Sequence, residues 1–149
     1  MIVLIVTLSA LLLAGSAFAG DDSTRDRLMG RWQQSDGNGE TKSAWALESS
    51  GSSIRVTNSN GTQTVAEFKC NTVGKECAGK DAGRPSKMSM WFNGPKLVEL
   101  ETRGNQVVKR RFAITGDGDT MDLETIPIVP TGKSEITHFR RVPSVVAKQ

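Results

Sequence analysis

Residues Lys87–Ile126 read K-M-S-M-W-F-N-G-P-K-L-V-E-L-E-T-R-G-N-Q-V-V-K-R-R-F-A-I-T-G-D-G-D-T-M-D-L-E-T-I. Short runs alternate apolar with polar, and turn residues punctuate them at Asn93-Gly94-Pro95, Gly104-Asn105 and Gly116-Asp117-Gly118-Asp119. A period of two marks strands with one buried face, whereas a helix would repeat every three to four residues. Gly-Asn and Asn-Gly supply the positive φ that a tight hairpin needs. Four strands are therefore predicted here: Lys87–Phe92, Lys96–Arg103, Gln106–Ile114 and Thr120–Ile126.

The same pattern continues on both sides. Upstream it gives Arg31–Ser35, Ser43–Ser49, Ser53–Asn58 and Thr62–Cys70, and downstream Ser134–Val142. Turns fall at Ser50-Gly51-Ser52, Asn60-Gly61 and Pro130-Thr131-Gly132. Asn71–Ser86 reads as one long irregular segment. Ser23 or Thr24 caps a short N-terminal helical turn ending at Gly30. The expected fold is all-β, an antiparallel up-and-down meander. Its two open edges invite aggregation, so closure into a barrel of about 8–10 strands is favoured over a sandwich.

Composition bounds the rest. The chain has 149 residues, 37% hydrophobic and 23% charged, with a net charge of +3, two Cys, one His and no Tyr. That suits a single domain and excludes a coiled coil, a polytopic membrane protein and a cysteine-dense scaffold. Ile2–Leu13 is almost continuously aliphatic, and Ala17-Phe18-Ala19 follows it as an A-x-A cleavage site. Residues 1–19 are read as a signal peptide, although no Lys or Arg precedes the run. An uncleaved anchor is the alternative. Residues 20–142 form the expected barrel domain and 143–149 a flexible tail, with no transmembrane helix once the signal is removed. The expected location is secreted or periplasmic. In such an oxidising compartment Cys70 and Cys77 are most simply a disulfide, because neither a C-x-x-C redox pair nor a zinc set is present.

Alternation assigns the faces. Trp45 with Leu47, Ile54 with Val56, Phe68 with Cys70, Met88 with Met90 and Phe92, and Met121 with Leu123 are placed inward. Val98 and Leu100 are placed inward against Glu99 and Glu101, which read as an outer face. Val108, Phe112 and Ile114 are inward, and so by parity is Arg110. In the last strand Ile136 shares a face with His138 and Arg140. Two readings stand. A bulge or barrel end exposes these cations, or Phe139 marks the true inner face. Alternatively, Arg110, His138 and Arg140 meet inside and bind an anionic headgroup, lined by Met88, Met90 and Phe112.

Gly30-Arg31-Trp32, set after a short capped turn at the start of the first strand, resembles the G-x-W signature of lipocalins and related calycin barrels. The resemblance implies an Arg from the last strand packed over that Trp, and Arg140 or Arg141 in F-R-R-V stands in the matching place. Gly30, Trp32, Arg140 and Arg141 would then close one barrel end. The later part of the chain looks like small secreted bacterial lipocalin-like proteins of unassigned role. The T-D-Y motif of typical lipocalins is absent. Gln34–Ser43 is too short and too Gly-rich for the two helices that follow the first strand in fatty-acid-binding proteins. The resemblance implies ligand binding by analogy alone.

No catalytic pattern emerges. His138 is the sole histidine and no G-x-S-x-G surrounds a serine. Thr131–Ser134 lacks the first glycine of a phosphate loop. Asp117, Asp119 and Asp122 lack EF-hand spacing, so no metal or cofactor is expected. Lys109–Arg111 and Arg140-Arg141 are interleaved with glutamates, which argues against a nucleic-acid interface. The expected role is non-catalytic binding of a small hydrophobic or amphipathic ligand with a possible anionic head. The alternative is an envelope-associated structural or protein-interaction module with a filled core.

Overall fold

The computed structural model describes residues 20–35 and 41–144. The expected signal peptide, residues 1–19, and residues 145–149 of the expected tail lie outside the described residues. Helix α1 (Gly20–Leu28) leads into ten strands: β1 (Gly30–Ser35), β2 (Thr41–Ser50), β3 (Ser53–Asn60), β4 (Gln63–Asn71), β5 (Cys77–Asp81), β6 (Arg84–Asn93), β7 (Lys96–Arg103), β8 (Gln106–Thr115), β9 (Thr120–Val129) and β10 (Glu135–Arg141). Each strand pairs antiparallel with the next. β1 also pairs with β10, so the meander closes into a barrel without a free edge strand.

The nine expected strands are present. The tenth, β5, lies within Asn71–Ser86, a segment the sequence pattern gives as irregular. C-A-G-K-D carries no large alternating apolar residues, and Gly79 stands where a core side chain would. That glycine is required by packing: a Cβ there would lie 2.9 Å from Met88 Cγ and 3.0 Å from Phe68 Cβ. Cys77 on β5 is disulfide-bonded to Cys70 on β4, with Cα atoms 5.6 Å apart. β4 and β5 share only three register pairs, from Ala66↔Asp81 to Phe68↔Gly79.

One end of the barrel is plugged. Leu28 and Trp32 are fully buried, and Trp32 Nε1 donates to the Leu28 carbonyl at 3.0 Å. Arg25 ties α1 to the β2–β3 turn by donating to the Gly51 and Ser53 carbonyls at 2.7 and 2.8 Å. Of the two candidate arginines, Arg141 covers Trp32, with its guanidinium carbon 4.1 Å from the ring centre. Arg140 is exposed and takes no part in this stack. Above the plug lie Trp45, Leu47, Ile54, Val56, Phe68, Met88, Met90, Leu97, Phe112, Met121, Leu123 and Phe139, which form one core. Among the described residues, no helix is long and apolar enough to cross a membrane.

Candidate functional site

The β7–β8 hairpin fixes the chemistry of the interior. Gly104 adopts φ 57° in a two-residue turn, which glycine enters without steric cost. The turn pairs Arg103 with Gln106, and counting back places Glu99 opposite Arg110 and Leu97 opposite Phe112. Facing residues in a sheet share a side. The inward row of β7 is therefore Leu97, Glu99 and Glu101, contrary to the expectation that both glutamates face outward. Glu99 is 0% and Glu101 4% exposed. Val98, expected inside, is buried on the outer wall, flanked in register by Trp91 and Arg111.

Arg110 Nη1 donates to Glu99 Oε1 at 2.7 Å and to Glu101 Oε2 at 2.9 Å. Its guanidinium carbon also lies 5.8 Å from the centre of the Trp45 ring. Trp45 in turn meets Phe112 edge to face, with ring centres 5.3 Å apart. Glu99 Oε2 and Glu101 Oε1 are buried with no hydrogen-bond partner. Burial pushes the Glu99 carboxyl up from its ordinary 4.5 to about 7; Arg110 opposes the rise and Glu101 adds to it. Burial also works against the charge on Arg110, but attraction to Glu99 and Glu101 outweighs it and holds the guanidinium above its ordinary value. Towards the unplugged end, Asp81 of β5 and Arg103 of β7 form a second ion pair.

Arg110, His138 and Arg140 do not converge. Phe139, 2% exposed, is the inner residue of β10, so the residues on either side of it face outward. Ile136 is 59% exposed, and His138 pairs on the outer wall with Asp122, Nδ1 to Oδ1 2.6 Å. Isoleucine in alternation with His138 and Arg140 was a misleading guide, because all three side chains are on the surface. Met88, Met90 and Phe112 do face inward, at 2%, 0% and 0% exposure. Asp117 accepts from the Asp119 amide, the Asp119 carboxylate lies 3.8 Å from Arg141 Nε, and Asp122 engages His138.

Grooves also mark the exterior. One of about 650 Å³ runs along β5 and β6 and is lined by Glu76, Ala78, Pro85 and Lys87. Another, of about 560 Å³, lies at the rim beside Arg84, Arg103 and Gln106.

By sequence the chain matches no family model and no curated protein. By structure it is similar to several solved proteins. A Schistosoma mansoni fatty acid binding protein in complex with arachidonic acid superposes with a TM-score of 0.64 at 16% identity, covering 80% of this chain and 99% of that one. A secretory abundant heat soluble protein from Ramazzottius varieornatus gives 0.63 at 11% identity, over 78% and 96%. The fluorescent protein UnaG gives 0.60 at 15% identity, over 78% and 98%. The chain thus has the calycin-type barrel fold of the fatty-acid-binding proteins. In this chain α1 precedes β1, and residues 36–40 separate β1 from β2.

Proposed function

We propose that this protein is an exported, non-catalytic barrel that takes up a small apolar or amphipathic molecule from its unplugged end. The observation that carries the reading is the architecture of the interior: a closed barrel, sealed at one end by Trp32 and Arg141, whose apolar core surrounds the Glu99–Glu101–Arg110 cluster. Several neighbours in the fold are described as binding fatty acids or lipids, which supports the same use here. Export rests on the reading of residues 1–19. The anionic head anticipated from the sequence would meet in Arg110 a guanidinium that already serves two carboxylates.

Native mass spectrometry of the purified protein, before and after organic extraction, tests the proposal. A bound mass lost on extraction, or uptake of a neutral fluorescent lipid afterwards, is the expected result. An unchanged mass together with no uptake overturns it.

One observation favours a second reading. Met90, Leu97 and Phe112 have no accessible surface, and a void large enough for water would have given them some. Entry of a ligand therefore requires repacking, for which the flexible thioethers of Met88 and Met90 are suited. If extraction and uptake both fail, the barrel is a filled scaffold. Ile128, Val129 and Ile136, all exposed at the β9–β10 end, are then the surface to test for a protein partner.

A further inference from the structure

The interior carries more acid than base. Facing inward in the unplugged half are Asp81 from β5, Glu99, Glu101 and Arg103 from β7, and Arg110 from β8. That is three carboxylates against two guanidiniums. Two carboxylate oxygens, Glu99 Oε2 and Glu101 Oε1, are buried and accept nothing. An unpaired buried acceptor is costly, and a donor brought by a ligand removes that cost. The carboxylates lie beside the aromatic pair Trp45 and Phe112. Acidic oxygens flanked by an indole face are a setting that attracts organic cations. Arg110 already shows the contact, as a tethered cation seated on both glutamates and near Trp45.

Resting on the binding function proposed above, we infer that the barrel selects amphiphiles whose head is a protonated amine, held by the free oxygens of Glu99 and Glu101 beside Trp45, and that it discriminates against fatty acids. The apolar body of such a ligand lies towards Met88, Met90 and Phe112. A carboxylate head placed there meets two like charges, which repel it. This selectivity opposes that of a barrel built around a free internal arginine.

The test uses the extracted wild-type protein near pH 8 and three probes of equal chain length: octylammonium, octanol and octanoate. Calorimetric titration is expected to show octylammonium binding at least about tenfold more tightly than octanoate, with octanol between them. Glu99→Gln keeps the shape of the side chain and removes a charge. It should weaken octylammonium about fivefold or more and change octanol less, so that the ratio between the two falls. The amine preference should shrink as pH falls below about 7, where Glu99 takes up a proton. Octanoate binding as tightly as octylammonium, or a Glu99→Gln variant with an unchanged ratio, overturns the inference. If octanol and octanoate bind without amine preference, the binding function stands and only the selectivity falls. If no probe binds and extraction releases nothing, both fall.

Discussion

The guanidinium of Arg141, on the last strand, lies over the indole of Trp32, on the first, its carbon 4.1 Å from the ring centre. It also donates to the Met29 and Arg27 carbonyls at 2.8 and 2.6 Å, and to Gly118 at 3.3 Å. One side chain therefore joins the end of α1, the first strand, the β8–β9 turn and the last strand. A cation at the end of a helix also complements its dipole. Arg141→Met loses the stack and strands several carbonyls, at a cost of about 2–4 kcal/mol. Arg140→Met, altering an exposed neighbour, should stay within about 0.5 kcal/mol. Thermal unfolding of the two variants side by side checks this; equal melting temperatures would remove Arg141 from its role.

Gly30 depends on the same arginine. Its φ of 128° is a conformation that side chains rarely adopt, and an added Cβ would sit 2.9 Å from Arg141 Nη1. Gly30→Ala should cost about 1–3 kcal/mol. The clash is with the far end of a flexible side chain, whereas the backbone strain is not relieved by moving it. Most of the loss should therefore persist in an Arg141→Met background. A double-mutant cycle by chemical denaturation measures the split, and complete rescue would assign the whole effect to crowding.

The Cys70–Cys77 bridge fastens β5 to β4 where the ladder has only three register pairs. On the chain-entropy account, so short a loop is worth about 2–3 kcal/mol. Reduction, or the Cys70→Ser/Cys77→Ser variant, should lower the melting temperature. It should also speed amide exchange in β5 more than in β7 or β8. Uniform acceleration around the barrel would show that the bridge does not act locally.

Most of the fold was legible because hairpin turns leave a local signature. Asn-Gly, Gly-Asn and the Gly-rich corners set strand ends, and a meander needs only those ends and a period of two. β5 escaped because its inward position is held by Gly79, whose missing side chain is the feature that packs against Met88 and Phe68. The interior was less legible. Alternation alone places Val98 and Leu100 inward against Glu99 and Glu101, yet Val98 is buried on the outside, with Trp91 and Arg111 as its neighbours in register. The decisive signal was present in the Gly104-Asn105 turn. Two residues there pair Arg103 with Gln106 and force Glu99 to share a face with Arg110. Placing Arg110 inside and Glu99 outside was inconsistent with that register. On β10 the surface isoleucine, Ile136, concealed the parity that Phe139 reveals.

Glu99 makes the stability of the barrel depend on pH in an unusual sense. A carboxyl stabilised by its ion pair would have a depressed pKa and lose stability in acid. Here burial dominates, and the folded-state value is raised to about 7. Between about 4.5 and 7 the native protein holds more protons than the unfolded chain, so stability falls as pH rises through that window and levels off above it. The full effect is on the order of 3 kcal/mol, taken as an upper bound because Arg110 and the groups around it relax. Glu99→Gln fixes the neutral form and should flatten this slope. The variant should also exceed the wild type in stability at pH 8 and match it near pH 5. Unfolding by urea at a series of pH values reads both effects. A wild type that gains stability between pH 5 and 7, or a Glu99→Gln variant weaker at pH 8, would mean that the contact with Arg110 outweighs burial. The carboxylate would then be charged throughout that range.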